Sequence, residues 1–179
     1  MLVGTSYGSF WFNYRTETFS RFIPQIKSEI SSFSKDRDGN IWIATMGQGG
    51  FCFNLRTHRV RHFAFRTARG CVSQIFVDSE NRVWAVLKYG RWTISRLNKT
   101  HNLFQSEHLH ANFDVSGAKM LQTRDRTLWL GTWNEGLFCI KGSHVIHVLD
   151  PAMTGTGRHI HTLVEMPGGK IYLGCDDGV

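Results

Sequence analysis

The chain has 179 residues, 41% of them hydrophobic and 20% charged, with a formal net charge of +7. That length and apolar content suffice to bury a sizeable core as one domain, and no apolar run approaches the roughly 18 residues that a membrane-spanning helix needs. The basic excess favours anionic partners. Four cysteines, Cys52, Cys71, Cys139 and Cys175, lack the short paired spacing of a zinc site and read as reduced, buried thiols.

Taken in chain order, the segments 1–13, 40–54, 82–95, 127–141 and 170–179 share one layout. An apolar strand holds a large anchor, a turn with glycine follows, and a second apolar strand returns. The anchors are Trp42, Trp84, Trp129 and Tyr172, with Leu2 at the frame's first appearance, separated by 40, 42, 45 and 43 residues. In the first full unit Ile30 to Asp36 reads as an inner strand and Asp38-Gly39-Asn40 as a tight turn. Ile41 to Thr45, Phe51 to Leu55 and Val60 to Phe65 are the second, third and fourth strands. Later second and third strands, such as Leu128-Trp129-Leu130 and Leu137 to Ile140, are nearly continuous apolar runs, as expected of sheets packed on both faces. No window shows a persuasive helical period, so almost no helix is expected.

Repeats of roughly 40 to 50 residues made of short strands mark a propeller with four-stranded blades. The expected fold is therefore all-β, a β-propeller segment spanning residues 1–179. Its repeats run approximately 1–29 (partial), 30–71, 72–116, 117–159 and 160–179 (partial). A second strand stands at both ends, so the chain is expected to be a piece of a larger propeller of about seven blades. Trp42, Trp84, Trp129 and Tyr172 are assigned to the structural core between blades. Thr45, Thr132 and Thr5 are assigned to strand ends, where a hydroxyl satisfies a backbone group.

In a four-stranded meander the turns between second and third strands emerge on the same face as the connections between blades, and ligands prefer such a loop-rich face. Those turns present Tyr7, Gln48, Tyr89, Trp133, Asn134, Glu135, Asp176 and Asp177. Aromatic planes beside amides and carboxylates suit a sugar. The stretch Arg56 to Arg69 holds five arginines, with His58 and His62, and no acid. An acidic glycan could use it, with Arg69 the candidate contact; the alternative is a charged outer edge strand that deters pairing. Nucleic-acid binding by this segment is not expected, since no recognition helix or RNA-binding strand motif accompanies the charge. His108 and His110, like His159 and His161, share one face of an extended strand. They could begin a metal site or an acid-base pair, but a third ligand is not evident, so neither a catalytic residue nor a metal nor a cofactor is assigned.

The unit I-x-x-F-x-x-D-x-D-G-N-I-W-I-A-T-x-G-x-G-G-F at 30–51 and its echo D-R-T-L-W-L-G-T-W-N-E-G-L at 125–137 resemble the two-component regulator propeller repeat. Ala85-Val86-Leu87 and Arg91-Trp92 depart from that pattern. Counting disfavours other propellers: from Ser34, Gly39 and Trp42 each fall one position late for a sialidase Asp box. Asp36 precedes Trp42 by six residues where a quinone enzyme wants eight, and no Trp-Asp signature is present. The resemblance implies the periplasmic sensor region of a membrane-anchored bacterial hybrid histidine kinase, which feeds a phosphorelay and responds to oligosaccharide. The remainder of the sensor kinase would be its partner in the parent protein. This chain carries no signal peptide, transmembrane segment, kinase His motif or nucleotide loop of its own, so no catalysis is expected from it. The competing expectations are a lyase-type propeller enzyme acting through channel histidines and a non-functional gene fragment. A homodimer joining two half-rings would cover exposed end blades.

Overall fold

The computed structural model describes residues 1–65, 70–88, 94–107, 118–141, 144–155, 159–176 and 178. Among the described residues, seventeen strands form five antiparallel meanders, each in sequence order. The first sheet holds β1 (Leu2–Thr5), β2 (Gly8–Asn13) and β3 (Thr18–Arg21). The second holds β4 (Ile30–Lys35), β5 (Asn40–Thr45), β6 (Gly50–Asn54) and β7 (Val60–Phe63), and the third β8 (Val72–Val77), β9 (Val83–Leu87), β10 (Ile94–Asn98) and β11 (Leu103–Ser106). The fourth comprises β12 (Lys119–Gln122), β13 (Leu128–Gly131), β14 (Leu137–Lys141) and β15 (His144–Leu149), and the fifth β16 (Thr162–Glu165) and β17 (Ile171–Gly174). These are propeller blades. The expected strands of the first full unit stand within two residues of their observed limits; Phe65 lies beyond β7, which ends at Phe63. One helical turn, α1 (Pro151–Thr154), is capped by Asp150, whose Oδ1 accepts from the Ala152 N–H at 2.8 Å.

Each anchoring tryptophan packs on the blade that follows it. Trp42, with Ala44, Cys52 and Phe63, faces Val72, Ile75, Val83, Ala85 and Leu87 of the third sheet. Trp84, Val86 and Ile94 face Met120, Leu128, Leu130, Phe138 and Ile140 of the fourth. Trp42 and Trp84 are 2% and 7% exposed. Trp129 is half-buried against Ile160, Leu163 and Leu173, because the sheet that covers it has two strands. Tyr172 departs from its expected core place: it is 48% exposed. A buried face needs a covering sheet, and no sheet follows β16 and β17 among the described residues. Cys52 and Cys139, both buried and unoxidised, sit directly opposite Trp42 and Trp129 in their ladders.

Every anchoring indole is hydrogen-bonded by the residue six positions before it. Asp36 Oδ2 accepts from Trp42 Nε1 at 2.8 Å and from Asn40 Nδ2 at 2.7 Å; its Oδ1 accepts the Asp38 and Asn40 backbone N–H groups. Asp78 does the same for Trp84 Nε1 at 2.8 Å, the Arg82 guanidinium, and the Glu80 and Arg82 N–H groups. In the fourth sheet the hydroxyl of Thr123 takes that place for Trp129 at 3.1 Å. In the fifth the anchor is a tyrosine, which has no indole N–H, and the sixth residue before it is Met166. Burial opposes ionisation of Asp36 and Asp78, yet the donors around them prevail and hold both carboxyls below the ordinary range.

Successive inner strands do not pair through their backbones. Side chains bridge the gap instead: Ser32 and Ser34 Oγ accept the Ile75 and Val77 N–H groups at 2.8 and 3.1 Å, and the Gln74 amide meets both the N–H and the C=O of Met120, at 2.6 and 3.1 Å. Edge groups that would invite another chain are thereby satisfied.

Candidate ligand site at the mouth of the inner strands

The turns between second and third strands are built on threonine. Thr45 Oγ1 donates to the Gly49 carbonyl at 2.7 Å and accepts from the Gln48 N–H, as Thr132 does with Gly136 and Glu135, and Thr5 with Gly8 and Tyr7. Gly136 has φ +78°, and a Cβ there would lie 2.0 Å from the Leu149 carbonyl oxygen, so only glycine lets the turn pass beneath the end of the fourth strand. The connections between blades join these turns on one face. The Gly47 and Gly49 N–H groups donate to the Gly70 carbonyl, and those of His159 and Ile160 to the Trp133 and Thr132 carbonyls. The residues just after the second strands are tied down as well, Met46 N–H to the Glu29 carbonyl and Lys88 N–H to that of Cys71.

This tethering gathers Met46, Lys88 and Trp133 around a hollow of about 290 Å³ whose floor comes from the starts of the inner strands. Glu29, Ile30, Ser31, Ser73, Lys119 and His161 complete the lining. The Trp133 ring is 38% exposed, with Lys88 Nζ 5.3 Å from its centroid and the His159 ring 6.0 Å away. Asp176 holds both histidines at the rim, accepting from His161 Nε2 at 2.5 Å and contacting His159 Nδ1. Hydrogen bonds from His161 and then His159 keep the Asp176 carboxyl below its ordinary range. Lys119 Nζ donates to the Ser73 carbonyl at 3.1 Å. Burial, and then the like charge of Lys88, lower its pKa. The hollow thus offers an indole face, two ammonium groups and a carboxylate-braced imidazole pair. That set can stack a ring, donate to hydroxyls and receive negative charge. Among the described residues no three His, Cys, Asp or Glu side chains are placed to hold a metal.

Of the expected site residues, Trp133 and Asp176 are brought together here, through His159. Gln48 lies apart, in a second hollow of about 470 Å³ with Gln25, Phe51, Val60 and His62. Its amide there accepts from the Lys27 N–H at 2.7 Å and donates to the Gln25 carbonyl. Tyr7 is 76% exposed and lines neither hollow. Asn134 is exposed and Glu135 half-buried, and neither lines the hollow. Tyr89, Asp177, Arg69, His108 and His110 lie outside the described residues. Arg56, His58, Arg59, Arg61 and His62 are exposed on or beside the outer strand β7.

Lys88, Lys119 and Met46 escape the sequence reading of the turns between second and third strands. Met46, Lys88, Trp133 and Asp176 all stand four beyond their anchors, and that register was the available signal. Two other histidines are structural. His62 Nε2 bonds the Gln48 carbonyl and its ring packs on Phe51; His147 bonds the Glu135 carbonyl and stacks on Phe138 at 4.2 Å.

Residues 25–47 match the family model described as Two component regulator propeller. The sequence matches no curated protein. Among solved structures, the extracellular domain of a hybrid two component system from B. thetaiotaomicron superposes with a TM-score of 0.74 at 18% identity, covering 97% of this chain and 23% of that one. The extracellular domain of a one component system from the same organism gives 0.76 at 16% identity, covering 99% and 25%. Virginiamycin B lyase from Staphylococcus aureus gives 0.72 at 11% identity, covering 97% and 61%. The chain spans about a quarter of the length of the two sensor domains, and these likenesses establish the propeller fold.

Proposed function

From the two-component regulator propeller repeat that this chain carries at residues 25–47, we propose that it is the ligand-sensing propeller segment of a bacterial two-component signalling protein. Its ligand is an oligosaccharide and it performs no catalysis of its own. The observation that carries this is the hollow at the inner-strand mouth, where a half-exposed indole stands beside ammonium and imidazole donors. A sugar ring presents C–H faces to an indole and hydroxyls to donors and acceptors. Extracellular domains of two component systems share the blade arrangement, which supports a signalling role and a periplasmic location in a membrane-anchored parent. The test is calorimetric titration of the chain with neutral and acidic oligosaccharides. Saturable binding that weakens in Trp133→Ala is the expected result; no saturable binding across the panel at millimolar concentration overturns the proposal.

One observation favours a second function. His159 and His161 share the Asp176 carboxylate at the rim of the hollow, an arrangement in which an imidazole can serve as a general base. A lyase-type enzyme would return a bound oligosaccharide chemically altered, and His161→Ala would abolish the change. Quantitative recovery of unaltered ligand after prolonged incubation sinks that alternative.

A further inference from the structure

We infer that Lys88 and Lys119 form an oxyanion subsite in this hollow, which takes the carboxylate or sulfate group of an acidic saccharide while Trp133 stacks on its ring. The inference rests on the sensing function proposed above and specifies the ligand class. Three observations on different elements converge on it. Lys88, at the end of β9, and Lys119, at the start of β12, line one hollow from two blades. Lys119 is held in place by the Ser73 carbonyl at 3.1 Å, so its ammonium is directed rather than free to swing into solvent. The like charge of Lys88 acts on Lys119 within this hollow, which the Glu29 carboxylate also lines. An anion entering the hollow is attracted by both ammonium groups.

The surroundings favour an anionic group carried on a ring over a bare ion. Trp133 stands within cation–π distance of Lys88, with its Nζ 5.3 Å from the ring centroid, so a ligand reaching the ammonium passes over the indole face. Of the acids at the hollow, Glu29 lines it directly and Asp176 is engaged by both His159 and His161. The arginine-rich stretch around β7 is the competing source of anion affinity, and it lies on the exposed outer strand of a different blade edge.

The experiment compares three disaccharides with the same purified chain at low salt: a galacturonic acid dimer, its methyl ester, and a sulfated disaccharide. Variants are Lys88→Gln, Lys119→Met, Lys119→Arg and, as a control away from the hollow, Arg56→Gln with Arg59→Gln. The expected result is that one acidic dimer binds about tenfold or more tightly than the neutral ester. That preference collapses in Lys88→Gln and Lys119→Met, survives in Lys119→Arg and is unchanged in the arginine control. Which acidic arm binds separates carboxylate from sulfate. Equal affinity for neutral and acidic dimers overturns the subsite while leaving saccharide sensing intact. A preference lost in the arginine control and kept in the lysine variants moves the anion to β7 and also overturns it. Failure of all three sugars to bind removes both proposals. Circular dichroism verifies the fold of each variant. Should Lys119→Met not fold, the solvent-accessible Lys88→Gln decides alone.

Discussion

Replacing Asp36 by alanine removes one acceptor and leaves four donors without it: the indole N–H of Trp42, the Asn40 side-chain amide, and the backbone N–H groups of Asp38 and Asn40. The indole is the expensive one. Trp42 is 2% exposed, so its orphaned N–H costs about 1–3 kcal/mol. The turn donors can rotate toward water and cost about 0.5–1 kcal/mol each. The total expected for Asp36→Ala is about 2.5–6 kcal/mol, which lowers Tm by roughly 5–24 °C in a chain of this size. Trp42→Phe removes the donor while the carboxylate keeps its other three partners, so the two changes should not add. Urea unfolding of the single and double variants, followed by circular dichroism, should return a coupling of about 1–2 kcal/mol. Additivity within about 0.5 kcal/mol would refute the claim that the aspartate exists to hold the indole. Thr123→Val, at the corresponding place under the half-buried Trp129, should cost only about 1–2 kcal/mol.

The same carboxylates set the acid limb of stability. Asp36 and Asp78 titrate below their unfolded values of about 3.9. Their contribution is therefore complete above about pH 4 and is lost as the pH falls through the lower folded values. The urea midpoint should drop less steeply below about pH 4 in Asp36→Asn than in the parent chain, and equal slopes would contradict the assignment. Trp42→Ala should cost about 3–5 kcal/mol in the same unfolding assay, whereas Tyr172→Ala should stay within about 1 kcal/mol because its ring already meets solvent. Trp133→Ala should leave Tm within about 2 °C of the parent by differential scanning calorimetry, since its ring caps a hollow instead of filling a core.

Much of the fold was legible because one period controls it. The anchor spacing marked the sheets, and alternation with turn residues placed β4 to β7 within two residues. Tyr172 was misread for a physical reason: periodicity reports which face a side chain occupies, while burial also requires a sheet on the other side. Asp36 was read only as a spacing that disfavoured an enzyme, although Asp78 and Thr123 repeat its hydrogen bond. That pairing could have been seen by comparing acceptors across the repeats. The site was half legible. Trp133 and Asp176 stood out by chemistry, but Lys119 meets Trp133 only through the pairing of β12 with β13, where it stands opposite Gly131, and Lys88 arrives from the preceding blade.

The serines and glutamine that link inner strands are spacers of unequal length. A serine hydroxyl reaches one bond past Cβ and ties β4 to β8; the longer Gln74 amide ties β8 to β12. Side-chain reach, rather than a backbone ladder, thus links one blade's inner strand to the next. The longer link is the one beside which Lys119 meets Ser73. Drift at these few positions would redraw the aperture of the mouth while every sheet kept its own ladder, giving a repeat protein a way to change what it admits without relearning how to fold.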